Sequence, residues 1–265
     1  MTGGWDALAV ELDAWSAAGQ TAEVWWRDDD AGAPCPALDR LLALAAETGT
    51  PLSLAVIPAK AEAALAATLD RHPAETTVLQ HGAAHHNCAA PGAKKCELVD
   101  PDLRPALPEE LRRCRAGLEH LFGARFRPVM VPPWNRIAAE LRATLPSLGF
   151  DGLSTYKARD AALPLPGLRQ TNCHVDILQW RPQRQFLGTE AALALLTGHL
   201  AAKRAGGADA AEPSGILSHH QAHDEAAWDF LAALFGRLAR HPAVRLLPAE
   251  RVFATPAVMA GRVVP

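Results

Sequence analysis

The chain has 265 residues, of which 49% are hydrophobic and 21% charged, a composition typical of a globular enzyme with a large core. Its net charge is −3 and it has no basic stripe, so nucleic acid is not an expected partner. The N-terminus has no basic segment followed by an apolar run, and no stretch of about 18 apolar residues occurs, so we expect neither a signal peptide nor a membrane span.

Short apolar runs alternate along the chain with stretches whose apolar residues recur at helical spacing. In chain order, this pattern predicts helices at 5–18, 36–48, 61–71, 108–123, 136–149, 189–206 and 224–241. Strands are predicted between them at 22–28, 51–58, 76–81, 127–133, 150–155 and 214–220. The alternation predicts an α/β protein, a single domain over residues 1–265, with about seven parallel strands in a distorted (β/α) barrel. Neither G-x-G-x-x-G after the first strand nor a phosphate-binding loop is present, which argues against a nucleotide-binding fold.

The five cysteines are odd in number and scattered, and no C-x-x-C pair occurs. Reduced thiols in a cytoplasmic protein are the simplest interpretation. Cys88 and Cys96 could pair or bind a metal, but nothing near them in the sequence supports either role. The sequence leaves the oligomeric state open.

Acids and histidines follow the predicted strands where a barrel places its active site, at the C-terminal strand ends. They are Asp28, Asp29 and Asp30 after the first strand, His81 and His85 after the third, and His219 and His220 after the strand at 214–220. One carboxylate with two imidazoles makes a three-ligand site for a divalent metal such as zinc, with a position left for water. A second carboxylate beside that ion stays ionised and can act as a base, which explains why adjacent acids are tolerated.

The chain resembles the polysaccharide deacetylase family, from about residue 22 to residue 230. The resemblance rests on five motifs in the family's order: "RDDDAG" (27–32), "HGAAH" (81–85), "VPPWN" (131–135), "HVDILQW" (174–180) and "ILSHH" (216–220). Each motif is weak alone, whereas the ordered set is fairly specific. The third motif, with P-P-W-N, is similar to that of a divergent branch of the family.

The resemblance implies roles for the residues of the first two motifs. Aligning the first motif so that Ala31 and Gly32 take its turn makes Asp29 the catalytic base and Asp30 a metal ligand. A shift by one residue would instead make Asp28 the base and Asp29 the ligand, so Asp29 is functional in both alignments. His81 and His85 match the family's two histidine ligands, and zinc is the metal we expect.

The last two motifs imply the acid side of the reaction. His219 aligns with the family's general acid, and His220 and His223 are alternatives. Because a strand points successive side chains to opposite faces, only one of His219 and His220 can face the site. Asp176 could orient the acid through a hydrogen bond, and Asp151 competes for that role.

The chain differs from the family's pattern at two motif positions. Val131 stands where the family has an arginine that steadies the base, and Arg27 could substitute for it. Gly82 replaces the serine or threonine of the second motif. Besides Arg27, the predicted substrate contacts are Trp134, Asn135 and Trp180. Tryptophan faces suit sugar rings, and the alternative for each tryptophan is a buried position in the core.

The resemblance implies a metal-dependent hydrolase that removes acetyl groups from N-acetylated sugars, with a divalent metal, zinc by preference, as its cofactor. The expected partner is an acetylated carbohydrate or a small amide, with no nucleic acid or membrane involved. Two alternatives remain open: a metal-dependent C–N hydrolase of a small non-sugar amide, and an inactive sugar-binding module on the same fold.

Overall fold

The structure is a computed structural model that describes residues 3–72 and 74–254. Its helices are α1 (Gly4–Ala17), α2 (Pro36–Thr48), α3 (Ala63–Arg71), α4 (Leu107–Phe122), α5 (Ala139–Thr144), α6 (Thr189–Arg204), α7 (Glu225–Leu238) and α8 (Ala249–Val252). Its strands are β1 (Ala22–Ala31), β2 (Leu52–Val56), β3 (Thr76–His81), β4 (Phe126–Val131), β5 (Gly152–Leu153), β6 (Arg169–Gln170), β7 (Val175–Asp176), β8 (Leu178–Gln179), β9 (Gln185–Phe186), β10 (Ser214–Ser218) and β11 (Val244–Leu246).

The main sheet is parallel and curled, in the strand order β6-β5-β4-β3-β2-β1-β10-β7, with β11 added beside β1. Every strand pairing within it is parallel, whereas the small β8–β9 hairpin is antiparallel. The edge strands β6 and β7 are neighbours along the chain, joined by residues 171–174. The sheet therefore nearly closes on itself, which agrees with the predicted distorted barrel.

Period-2 alternation along β1 sorts its side chains between two cores. Val24 and Trp26 face outward and pack with the helices, whereas Trp25 faces the barrel interior. The interior cluster also holds Phe253, just after α8, whose ring meets Trp25 edge-on at 5.6 Å between centroids. This packing fills the N-terminal end of the barrel and leaves the opposite, C-terminal end for polar side chains.

The predicted long strands and helices agree with the structure to within a few residues, except for the helix expected at 136–149. Pro146 lacks the N–H that a helix interior needs, so α5 ends at Thr144 and a short 3₁₀ turn follows at 145–148. The sequence pattern also missed β6, β7, β8, β9 and β11, which have only two or three residues each and no detectable period.

Within the described residues, no helix is long and apolar enough to cross a membrane. The single domain predicted over 1–265 stays a prediction, because residues 1–2, 73 and 255–265 lie outside the described part of the chain.

Candidate active site and metal centre

A pocket of about 960 Å³ opens at the C-terminal end of the barrel strands. Nine of the ten predicted site residues line it: Asp29, Asp30, His81, His85, Trp134, Asn135, Asp176, Trp180 and His219. They come from five different strand ends or the loops that follow them. Sequence motifs far apart in the chain therefore meet in one cavity.

A bulge at the end of β1 brings two adjacent acids into this pocket. Strand alternation would point Asp28 and Asp30 to the same face, opposite to Asp29. The register with β2 shifts between Asp28 and Ala31, and Asp30 has a φ of 70°, in the left-handed region. The extra residue turns Asp30 towards Asp29, so both carboxylates line the pocket while Asp28 does not.

Backbone strain is concentrated in the same pocket. In the described part of the chain, four of the five non-glycine residues with positive φ are Asp30, His85, Trp134 and Asn135, and all four line the cavity. A positive φ is costly for such residues and persists only where the surrounding contacts impose it. The strain therefore indicates that these side chains are held in place for the site.

Asp30, His81 and His85 form a compact set of metal-type ligands. The Nε2 atoms of His81 and His85 lie 3.1 and 3.2 Å from the same Asp30 oxygen, and one ligand atom from each residue lies within 4.8 Å of the others. The Nδ1 of His81 is 2.9 Å from the carbonyl oxygen of Val131. Donation from Nδ1 to that carbonyl leaves Nε2 with a free lone pair towards the pocket, the arrangement expected of a metal-binding histidine.

The electrostatics of this set favour a bound cation. Burial opposes ionisation of Asp30, but its hydrogen bond and charge interactions with His81 outweigh burial, and the pKa of Asp30 lies well below its ordinary value. Burial and the neighbouring His81 both lower the pKa of His85, which keeps that imidazole neutral and able to donate a lone pair. An anionic carboxylate with two imidazoles fits a divalent ion of the zinc type.

Arg27 holds Asp29 from behind the pocket. Its Nη2 donates to Asp29 Oδ2 at 2.9 Å and to Asn135 Oδ1 at 2.8 Å, and its Nε lies 2.8 Å from the other Asp29 oxygen. A further nitrogen donates to Ser154 Oγ at 2.7 Å and to the carbonyl oxygen of Thr155. Arg27 has 0% exposure, so its prediction as a substrate contact is wrong, because no surface is left for a ligand. The geometry fits the alternative, in which Arg27 steadies Asp29 in place of the absent motif arginine.

Asp28 is committed to a separate buried pair on the outer face of β1. Its carboxylate lies 2.5 Å from Nδ1 of His220 and also accepts from the His220 backbone N–H and the Ser218 hydroxyl. Burial would raise the pKa of Asp28, but the charge and hydrogen bond of His220 outweigh it and the net direction is down. These contacts direct Asp28 and His220 away from the cavity. The geometry therefore favours the alignment in which Asp29 and Asp30 are the functional acids.

His219 lies in the pocket, and His220 does not, as strand alternation requires. The expected hydrogen bond from Asp176 to His219 is not formed among the described residues. The Asp176 carboxylate instead accepts from the Trp180 indole N–H at 2.7 Å and from a backbone N–H. Trp180 in turn meets His219 edge-on at 4.7 Å between ring centroids. Asp176 thus positions Trp180 against the acid candidate rather than binding the acid itself.

The two remaining alternatives, His223 as the acid and Asp151 as the residue that orients it, both lie outside the pocket lining. His223 accepts the backbone N–H of His219 through Nε2, and burial lowers its pKa to about 4, so it is a neutral acceptor outside the pocket lining. Asp151 precedes β5, at the opposite end of the strands from the pocket, where it pairs with Arg127 at 3.2 Å.

The five cysteines are all free, including Cys88 and Cys96.

The loop that carries His85 is organised by a carboxylate that the sequence pattern did not reveal. Glu97 is buried and accepts the backbone N–H groups of Ala83, Ala84 and His86, at 3.1, 2.8 and 3.2 Å. A Cβ on Gly82 would overlap the Glu97 carboxylate and approach Pro133 to 2.7 Å, and Gly82 has a φ of 61°. The glycine in place of the motif serine or threonine is therefore required by Glu97.

Other lining residues escaped the sequence analysis as well. Tyr156 follows β5 by three residues, and burial raises its pKa. The strand-end rule could have selected it, since it comes shortly after a predicted strand. Five cationic residues of the loops also line the mouth, and nothing in the local sequence marks them as pocket residues.

Comparisons with known proteins find likeness in fold alone. The sequence matches no protein-family model, and no curated protein matches it. A Mycobacterium smegmatis protein provisionally assigned as a polysaccharide deacetylase superposes with a TM-score of 0.62 at 18% identity, covering 93% of each chain. The Bc1960 peptidoglycan N-acetylglucosamine deacetylase gives a TM-score of 0.57 at 14% identity, covering 88% of each chain.

A third structure bears on whether this fold implies enzymatic activity. It is a mutant of BA3943, a CE4 family pseudoenzyme with restored enzymatic activity, with a TM-score of 0.55 at 12% identity over 88% of this chain and 68% of that one. Together these structures show that the chain has the fold of polysaccharide deacetylases, as its motifs predicted. Because the same fold serves active and inactive proteins, function must be argued from the site.

Proposed function

We propose that the protein is a metal-dependent hydrolase that removes acetyl groups from N-acetylated sugars. The observation that carries this proposal is the meeting of three elements in one pocket: the Asp30, His81 and His85 ligand set, the Arg27-held carboxylate of Asp29, and the imidazole of His219. Metal-assisted hydrolysis of an acetamide uses a metal ion, a base and an acid around one carbonyl, and this pocket has residues suited to all three roles.

Asp30, His81 and His85 would hold the metal, and zinc suits a set of one carboxylate and two imidazoles. When bound, a divalent ion of this kind lowers the pKa of a coordinated water and polarises a carbonyl oxygen. The identity of the metal is part of the proposal.

The chain's own residues supply the proton transfers. The Asp29 carboxylate accepts a proton from the water whose oxygen attacks the acetyl carbonyl carbon. His219 donates a proton to the sugar nitrogen as the C–N bond breaks, so that acetate and a free amine leave. Acid and base contributions of this kind are each about 10²–10⁴-fold. Arg27 keeps the Asp29 carboxylate in one orientation, so little rearrangement is needed when the water is deprotonated.

The walls of the pocket favour a sugar-sized substrate over a small amide. Trp134 and Trp180 line the cavity, and Trp180 is 46% exposed, so its indole offers an aromatic face to a sugar ring. A volume of about 960 Å³ is far larger than an acetamide group needs. A cytoplasmic location, predicted from the reduced cysteines, would suit a soluble acetylated saccharide rather than an extracellular polymer.

The likeness in fold to proteins named as deacetylases supports the proposal, and the pseudoenzyme among them keeps the binding-module alternative open. The binding-module alternative was based on the absence of the motif arginine. The ion pair of Arg27 with Asp29 would take the place of that arginine within this chain, which favours an active enzyme.

Acetate release from chito-oligosaccharides, measured beside metal content, tests the proposal. Asp29→Asn and His219→Ala should each lower kcat by about 10²-fold or more while metal content stays close to that of the wild type. His81→Ala should lose metal and activity together. Binding of the oligosaccharide without release of acetate by the metal-loaded wild-type protein would refute the enzyme and support the binding module.

A further inference from the structure

The mouth of the pocket is cationic. Five basic residues line it, and all five are exposed: Lys94, Lys95, Arg136, Arg181 and Arg184. We call them the cationic rim. Among the described residues none of the five forms an ion pair, although arginines elsewhere on the surface, such as Arg40 and Arg115, are paired with glutamates.

The carboxylates of the pocket do not neutralise this rim. Asp29 is paired with Arg27, and Asp30 lies between the two imidazoles of the ligand set. Asp176 is bonded to the Trp180 indole. The chain as a whole has a net charge of −3, so five unpaired cations at one opening form a local exception. A cleft lined by one sign of charge attracts ligands of the other sign.

The cationic rim lies beside both aromatic walls. The Lys95 ammonium is 5.8 Å from the centre of the Trp134 ring, and Arg136 donates to the Lys95 carbonyl oxygen at 2.8 Å. Arg181 and Arg184 belong to the turn between β8 and β9, directly after Trp180. In the strand order, the β4 side and the β7 side flank the acids of β1 from opposite directions. A ring that contacts either tryptophan would therefore have cations next to it.

We infer that the substrate is an N-acetylated sugar that carries an anionic group, a carboxylate or a phosphate, which the cationic rim binds. This inference rests on the proposed function. The planar guanidinium groups of Arg181 and Arg184 suit two-point binding of carboxylate or phosphate oxygens. The lysines add point charges on the opposite side of the pocket. A neutral sugar would leave all five cations without a partner from the substrate.

The test compares matched substrates. Acetate release is measured for a neutral N-acetylglucosamine oligosaccharide, for one whose acetylated sugar bears a carboxylate-containing ether, and for one that bears a phosphate. The anionic substrates should show a kcat/KM at least about tenfold higher at low salt, and the advantage should shrink at about 0.5 M NaCl because salt screens exposed charges. Which of the two anionic substrates is preferred distinguishes carboxylate from phosphate recognition.

Charge variants test whether the cationic rim causes the preference for anionic substrates. The double variant Arg181→Gln/Arg184→Gln should lower the ratio of anionic to neutral kcat/KM, mainly through a higher KM for the anionic substrate. The control Arg113→Gln removes an exposed arginine of α4 that lies outside the pocket lining and forms no ion pair with the residues that the structure describes, and it should leave that ratio unchanged. Equal turnover of neutral and anionic substrates, with equal dependence on salt, overturns this inference and leaves the deacetylase intact. Absence of acetate release from every substrate removes the proposed function, and this inference with it.

Discussion

Glu97 offers a demanding test of how the site is built, because it is neither a residue of the pocket lining nor a proposed metal ligand. Its buried carboxylate accepts three backbone N–H groups from the loop that carries His85. The change Glu97→Gln keeps the size of the side chain and one accepting oxygen. It places an NH₂ group against at least one of the three donors, which leaves that donor buried without an acceptor.

The expected cost follows from these contacts. Hydrogen bonds to a charged acceptor contribute about 1.5–3 kcal/mol each, and one or more of the three would be lost, so we expect the free energy of unfolding to fall by about 2–4 kcal/mol. Because the loop fixes the direction of His85, metal affinity should also fall, by about 10–100-fold, the usual effect of disturbing the groups that orient a ligand.

Two measurements check this expectation: urea unfolding of the metal-free protein, and metal affinity by competition with a chelator. Asp102→Asn is the matched control, since it removes an equal charge from an exposed residue nearby. A Glu97→Gln variant with the stability and metal affinity of the wild type would refute the view that this carboxylate organises the loop.

Three further predictions follow from buried groups. Arg27→Met should lower the free energy of unfolding by about 3–5 kcal/mol, because it leaves Asp29 buried without its partner; calorimetry checks this, and an unchanged melting temperature would contradict it. Asp28→Asn should cost stability through loss of the charged pair with His220, yet leave kcat within a few-fold of the wild type, unlike Asp29→Asn. If instead Asp28→Asn abolishes acetate release with metal still bound, Asp28 is the base. Burial and a stacked neighbouring imidazole lower the pKa of His199 to about 3 from 6.5, so the unfolded chain takes up a proton that the folded chain does not, and stability should fall as pH drops from about 6.5 towards 3. Urea unfolding at pH 7 and pH 4.5 should show a smaller decrease for His199→Gln than for the wild type.

Local sequence pattern was sufficient for the barrel and for most of the site. Strand and helix periods depend on neighbours a few residues apart, so the pattern located β1, β3 and β10 and the histidines that follow β3 and β10. Because all parallel strands point their C-terminal ends to one rim, placing residues at strand ends was enough to predict that His81 and His219 share a pocket with Asp29.

The tertiary structure decided what depends on contacts between distant segments. Which of three consecutive aspartates line the pocket depends on a bulge against β2 and on the pairing of Asp28 with His220, 192 residues later. The curled sheet encloses Arg27 fully, so Arg27 pairs with Asp29 and has no surface that could contact a substrate. Tyr156 and the cationic rim reach the pocket from loops whose paths follow no sequence period. The period of a sequence pattern predicts which face of a strand or helix a side chain occupies. The contact partners of that side chain depend on which distant segments pack against the face.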